Sequence, residues 1–191
     1  LGYTYGSITI TKVNVGTTAA PVIKDAVIIG NGYNDGGDYG SYLFVIDANT
    51  GQLIKRFKAG DGSALSPNGL STPVAIDIDG NGLADTVYAG DLDGSMWRFD
   101  LRGLADPALD PAVVNTATTD VAGQPPGTKS VKLLLTTSPA QAITSTPGVA
   151  IHPEGGYMVT FGTGKALVTA DLADAAVHYV SVSYTHLTLP T

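Results

Sequence analysis

The chain has 191 residues, 17 acidic and 10 basic side chains, and a formal net charge of -7. Sixteen of the acids are Asp, with Glu154 the only Glu; Glu builds helices, whereas the short Asp carboxylate competes for nearby backbone donors and favours turns, caps and hard-cation sites. With 24 Gly, 11 Pro, no Cys and 43% hydrophobic residues, the composition excludes a helix bundle, a disulfide scaffold, thiolate chemistry and general disorder.

The apolar runs, such as Ala26-Val27-Ile28-Ile29, are too short to span a bilayer as a helix. No Lys/Arg cluster exists, and an acidic chain repels phosphate, so nucleic acid is not an expected partner. The chain starts at Leu1 and reads as a piece of something longer, so the lack of a leader says nothing about compartment.

In chain order, three loosely self-similar modules are expected. The first runs Ala20-Pro21-Val22, then Ala26-Val27-Ile28-Ile29-Gly30, then Tyr42-Leu43-Phe44-Val45-Ile46-Asp47, then Leu53-Ile54-Lys55-Arg56-Phe57. The second runs Ser71-Thr72-Pro73-Val74, then Thr86-Val87-Tyr88-Ala89-Gly90, then Gly94-Ser95-Met96-Trp97-Arg98-Phe99-Asp100. The third runs Ser145-Thr146-Pro147-Gly148-Val149, then Tyr157-Met158-Val159-Thr160-Phe161-Gly162, then Ala166-Leu167-Val168. Each reads as a Pro-led strand, an apolar strand ending in Gly, and a further strand. Asp47-Ala48-Asn49-Thr50-Gly51 has the residues of a hairpin turn. Trp97 and Phe99 alternate with Met96 and Arg98, which places them on one face of a strand.

Repeating modules of this kind predict an all-β fold, a partial β-propeller of about three blades of a larger ring. A β-sandwich is the alternative, but it needs no self-similarity. Residues 1–180 read as a fragment of one such domain, with residues 102–129, rich in Ala, Asp, Pro and Thr, as an inter-blade insertion. The only helical hint is at residues 171–177.

One loop carries chemistry. In Asp77-Ile78-Asp79-Gly80-Asn81-Gly82-Leu83-Ala84-Asp85, oxygen-bearing side chains fall at positions 1, 3, 5 and 9, Gly82 at position 6 and the Leu83 carbonyl at position 7. Ca²⁺ takes six to eight hard oxygens, and this is the spacing with which a tightly curled loop supplies them. Mg²⁺, with its strict octahedron, is the weaker alternative. A helix-loop-helix site would need Glu at position 12, where Tyr88 stands in a strand-like run, so the loop is expected to join two strands. Pro21 precedes Gly30 by nine positions and Pro73 precedes Gly90 by 17, and the surplus falls on this loop, since a plain hairpin could use a two-residue turn such as Lys24-Asp25. The alternative is a solvated Asp/Asn/Gly turn, in which three carboxylates repel one another.

Other motifs are weaker. Asn34-Asp35-Gly36-Gly37-Asp38 and Asp91-Leu92-Asp93-Gly94 read as turns, although Asp91 or Asp93 would add negative field if near the metal. Gly162-Thr163-Gly164-Lys165 lacks the upstream Gly and following helix of a phosphate loop. His152, His178 and His186 have no metal spacing, and no Ser/His/Asp set is evident, so no catalytic residue is expected.

Gly30-Asn31-Gly32-Tyr33-Asn34, Pro67-Asn68-Gly69-Leu70-Ser71, the 77–85 loop, Tyr88-Ala89-Gly90-Asp91-Leu92, Trp97-Arg98-Phe99-Asp100-Leu101, Ile143-Thr144-Ser145-Thr146-Pro147 and Phe161-Gly162-Thr163-Gly164-Lys165 occur together and in order. Over residues 22–174 this set resembles the C-terminal propeller of the type IV pilus biogenesis factor and tip adhesin family PilY1/PilC. The resemblance implies a modified propeller of the quinoprotein alcohol dehydrogenase type, without catalysis. It implies Ca²⁺ held by Asp77, Asp79, Asn81, Asp85 and the Leu83 carbonyl, and Ca²⁺ occupancy governing pilus extension against retraction, hence twitching motility and adhesion. It also implies a place at the pilus tip or outer membrane of a Gram-negative bacterium, with minor pilins, a host surface and the remaining blades as partners. A quinone-dependent dehydrogenase would need a central cofactor pocket, and an integrin-like ligand-binding propeller several Asp loops. Residues 181–191 do not continue the family pattern and read as a non-native tail.

Overall fold

Strands that are apolar on both faces must be covered on both sides, and Thr86–Gly90 and Ser95–Asp100 are buried nearly throughout in this way. The computed structural model describes residues 2–17, 19–33, 38–102, 104 and 131–185. They form three antiparallel sheets in sequence order. The first is β1 (Thr9–Asn14), β2 (Ile23–Gly30), β3 (Tyr42–Asp47) and β4 (Leu53–Lys58). The second is β5 (Val74–Ile76), β6 (Thr86–Gly90), β7 (Ser95–Asp100) and β8 (Val131–Thr136). The third is β9 (Gly148–Ile151), β10 (Tyr157–Gly162) and β11 (Val180–Thr185). Each strand pairs with its neighbour in sequence, so the sheets are three meanders, the layout of propeller blades.

Alternation along β6 and β7 joins the blades. Val87, Ala89, Trp97 and Phe99 enter a core with Val13, Ala26, Ile28, Leu43, Val45 and Phe57 of blade 1. Tyr88 and Met96, on the opposite face, enter a second core with Ile143, Val159 and Phe161 of blade 3. The rings of Phe57 and Phe99 meet across the first junction at 5.9 Å. The expected shared face of Trp97 and Phe99 is thus a face between blades.

The glycines that close the second strands of blades 1 and 2 have a physical reason that Gly162 of blade 3 lacks, since a Cβ there would meet nothing within 4 Å. A Cβ on Gly30 would run into the carbonyls of Leu70 and Ser71, and one on Gly90 into the side chain of Ile143. These are the points where the chain enters the next blade, so Gly admits a close backbone approach. Asn31 and Asn68 stitch the first junction. Asn31 Oδ1 accepts the N–H groups of Tyr42 and Leu70, both at 2.8 Å, and its Nδ2 donates to Gly40 O at 2.9 Å. Asn68 Oδ1 accepts from Gly69 N and Leu92 N, and its Nδ2 donates to Asp61 O and to Asp91 Oδ2.

Several expectations need correction. Blade 1 begins with β1, not with Pro21-Val22, and Lys24 and Asp25 lie inside β2, opposite Val13 and Lys12, rather than in a turn. Pairing with β1, aided by the Lys12–Asp25 ion pair at 2.8 Å, overrides their turn preference. The β1–β2 connection at residues 15–22 is therefore only one residue shorter than the β5–β6 connection at 77–85, so surplus length does not mark the Asp loop.

In blade 3, Ala166-Leu167-Val168 form no strand: the Asp171 carboxylate accepts from Leu167 N and Val168 N and starts a 3-10 helix, Thr169–Ala173. This replaces the helical hint at 171–177. The strand that pairs with β10 is β11, which carries the alternation of Val180, Val182 and Tyr184 into the stretch that the sequence suggested was a non-native tail. Residues 102–129 join two neighbouring strands of one sheet, β7 and β8, rather than two blades; apart from residues 102 and 104, they lie outside the described residues, as do residues 186–191.

Replacing Asn31 by Ala leaves the buried N–H groups of Tyr42 and Leu70 without their acceptor. We expect a loss of roughly 2–4 kcal/mol in urea unfolding of the intact propeller.

Candidate metal centre

The 77–85 connection joins β5 to β6, whose register pairs Val74 with Tyr88 and Ile76 with Thr86. Asp85 N donates to Ile76 O at 2.9 Å, which closes the base of the loop. Asp77 organises the near side: its Oδ1 accepts from Gly80 N at 2.8 Å and Asn81 N at 3.2 Å, and its Oδ2 from Gly82 N at 2.6 Å. Gly80 and Gly82 take φ of 76° and 86°, the left-handed conformations that let consecutive N–H groups converge on one carboxylate. Donation from Gly82, and secondarily from Gly80 and Asn81, holds the Asp77 carboxyl below the usual carboxylate range.

The loop brings Asp77, Asp79 and Asp85 together: one carboxylate oxygen from each lies within 4.8 Å of the others. Asp77 and Asp79 are exposed and Asp85 is buried. Oxygens sharing one ion at about 2.4 Å are at most twice that distance apart, so the trio fits a single hard cation. Without a cation, like charges so close repel one another. Among the described residues no other three Asp, Glu or His side chains meet in this way.

Asn81 stands beside the trio. Its Nδ2 donates to Asp79 Oδ2 at 2.9 Å, and its Oδ1 accepts from Leu83 N at 2.8 Å. The corresponding β1–β2 loop shows what an ordinary connection looks like here. There Asn14 Oδ1 accepts from Gly16 N and Val22 N, both at 2.9 Å, and residues 15–22 carry no acid.

Of the weaker motifs, Asp91-Leu92-Asp93-Gly94 forms the β6–β7 turn, with Gly94 N donating to Asp91 O. Six residue steps of strand, roughly 20 Å, separate Asp91 from Asp85, so it adds no local field to the metal loop. Its burial is what the sequence reading missed. Asp91 is 1% exposed and lies against blade 1. It accepts from Trp97 Nε1 and Ser95 N, both at 2.8 Å, and from Asp93 N, Asn68 Nδ2 and Ser41 Oγ. Burial pushes its carboxyl above the usual range, and these donors, Trp97 first, oppose the shift. The available signal was its position directly after β6, all five residues of which are buried.

Gly162 ends β10, Gly164 bridges to Ile143 and Lys165 pairs with Asp171 at 3.4 Å, with no α-helix N-terminus to receive phosphate. The His152 ring packs edge-on against Tyr184, and His178 lies 3.7 Å from Asp174. Asp38 accepts from Gly40 N and from the Tyr42 hydroxyl; residues 34–37 of that motif and His186 lie outside the described residues. No described helix is long and apolar enough to cross a membrane.

Comparison with known proteins agrees with this architecture. Residues 1–184 match the family described as the PilY1 beta-propeller domain. The type IV pilus biogenesis factor PilY1 of Pseudomonas aeruginosa strain PAO1 is 38% identical over 180 residues, 90% of this chain and 14% of that protein. A PilY1 homolog of Xylella fastidiosa strain Temecula1 is 34% identical over 182 residues, 90% of this chain and 11% of that protein. The chain therefore spans about one seventh or less of the length of these relatives. The crystal structure of the P. aeruginosa PilY1 C-terminal domain superposes with a TM-score of 0.71 at 30% identity, covering 98% of this chain and 38% of that one. Three stacked meanders, a family match over nearly the whole length and a solved relative of the same fold lead to one conclusion: the chain belongs to the PilY1 β-propeller family.

Proposed function

We propose that this chain is the calcium-binding part of a type IV pilus assembly and tip-adhesin protein, in which Ca²⁺ occupancy regulates pilus extension and retraction. The observation that carries the reading is the convergence of Asp77, Asp79 and Asp85 oxygens within 4.8 Å on a loop whose backbone is already curled. Asn81, in contact with Asp79, and the Leu83 carbonyl complete the proposed ligand set. The hard, all-oxygen donors favour Ca²⁺, and Mg²⁺ would be disfavoured by its need for a near-ideal octahedron. When bound, the ion would neutralise the carboxylates and fix the β5–β6 connection.

The module acts by binding rather than catalysis, in keeping with relatives named as pilus biogenesis factors. An integrin-like propeller would repeat the Asp loop from blade to blade. Here the corresponding connections at residues 15–22 and 152–156 contain no Asp. Residues 1–180 belong, on this reading, to one propeller whose remaining blades are its first partners. Exposed Ile8 and Ile10 on the blade 1 side, and Ile151 and Val180 in blade 3, suit such cover. The wider partners are minor pilins and a host surface, and the place is extracellular, at the pilus tip or outer membrane of a Gram-negative bacterium.

Two outcomes are expected. In titration calorimetry of the parent protein, Asp85→Ala abolishes Ca²⁺ binding; unchanged binding would remove Asp85 from the ligand set. Thermal unfolding of the wild-type propeller with Ca²⁺ at 100 times its Kd shows added stability of about 2.7 kcal/mol over the chelated protein, and Asp85→Ala shows none.

A further inference from the structure

The metal loop does more than close a hairpin of blade 2. Its ends are planted in both blade junctions. Ala84, one residue before Asp85, is a buried member of the core shared with blade 1. Ile76, one residue before Asp77, packs against the core shared with blade 3.

Hydrogen bonds run outward from the same segment. Ala84 N donates to Lys12 O of β1 at 2.8 Å, which ties the loop to blade 1. Ile78 O accepts from the Tyr157 hydroxyl of β10 at 3.4 Å, which ties it to blade 3. Asp85 O accepts from Leu101 N at 2.8 Å, just beyond the end of β7. Within the loop, Asp85 Oδ2 accepts from Ile78 N at 2.8 Å, so the two outward contacts share a direct link through one of the clustered carboxylates. β1 also lies against β5, the strand that leads into the loop.

We propose that the 77–85 loop is the joint through which Ca²⁺ sets the packing of blades 1 and 3 against blade 2, with the Lys12 carbonyl and the Tyr157 hydroxyl as its two contact points. This rests on the calcium reading above. A cation that draws Asp77, Asp79 and Asp85 together fixes residues 78 and 84 relative to each other. Those residues hold the neighbouring blades. Loss of the ion therefore loosens two junctions at once, a change that spreads over three blades from one exposed loop. Coupling of this kind needs only a contiguous set of contacts whose arrangement the ligand biases.

The test is hydrogen–deuterium exchange of the full-length parent protein, in Ca²⁺ and in chelator, with calorimetry on the same preparation. Ca²⁺ is expected to slow exchange on the order of tenfold in β1 and in the β9–β10 hairpin as well as in the loop. Tyr157→Phe, which removes one hydroxyl, is expected to lose much of the Ca²⁺-dependent protection of β9–β10 while keeping that of β1. If calorimetry shows Ca²⁺ bound but protection rises only in residues 76–86, the joint is overturned and the metal site stands. If wild-type protein binds no Ca²⁺, the metal site and the joint both fall. Full β9–β10 protection in Tyr157→Phe would overturn the assignment of Tyr157.

Discussion

A blade inside a stack has no solvent face, and this constraint governs the rest of the molecule. Blade 2 buries Val87, Ala89, Trp97 and Phe99 on one side and Tyr88 and Met96 on the other. Charge inside such strands is confined to Arg98 of β7, which pairs with Asp100 at the strand end at 3.4 Å rather than lying unpaired in an apolar layer. Polar chemistry is displaced to the strand ends, where loops can turn and backbone donors are free. The Asp-rich, Glu-poor composition follows from this, because Asp is the acid best suited to accept from the backbone of its own turn.

The two ends of β6 show the same residue type put to opposite uses. At one end Asp91 is buried among Trp97, Ser95, Asn68 and Ser41, and its carboxylate serves as an acceptor that fastens the turn to the blade junction. At the other end the Asp77, Asp79 and Asp85 carboxylates cluster on a largely exposed loop, each also accepting from a loop N–H. The first arrangement is satisfied by the protein. The second, on the calcium reading, is completed by a cation. Environment, not residue identity, separates a structural carboxylate from a proposed metal ligand.

The sequence showed the periodic parts well. Alternation in Ser95–Asp100 announced a strand with Trp97 and Phe99 on one face, and the terminal glycines of the second strands marked a repeat. The spacing of Asp77, Asp79 and Asp85 was also legible, because a loop closed on itself depends mainly on local contacts. What was not legible depended on partners far along the chain. Lys24 and Asp25 look like a turn until β1 pairs with them, and Leu167 looks like a strand residue until Asp171 caps its N–H. The burial of Asp91, likewise, comes from Ser41 and Asn68, which are 50 and 23 residues away. The link from the metal loop to Lys12 and Tyr157 crosses two blades and leaves no local trace in the sequence.

The most direct measurement is anomalous scattering from crystals of the parent propeller grown in Ca²⁺, at a wavelength where calcium contributes. A single anomalous peak among the Asp77, Asp79 and Asp85 carboxylates, at about 2.3–2.6 Å from their oxygens, is the predicted result. Clear density for the three side chains with no anomalous peak between them would contradict the calcium site.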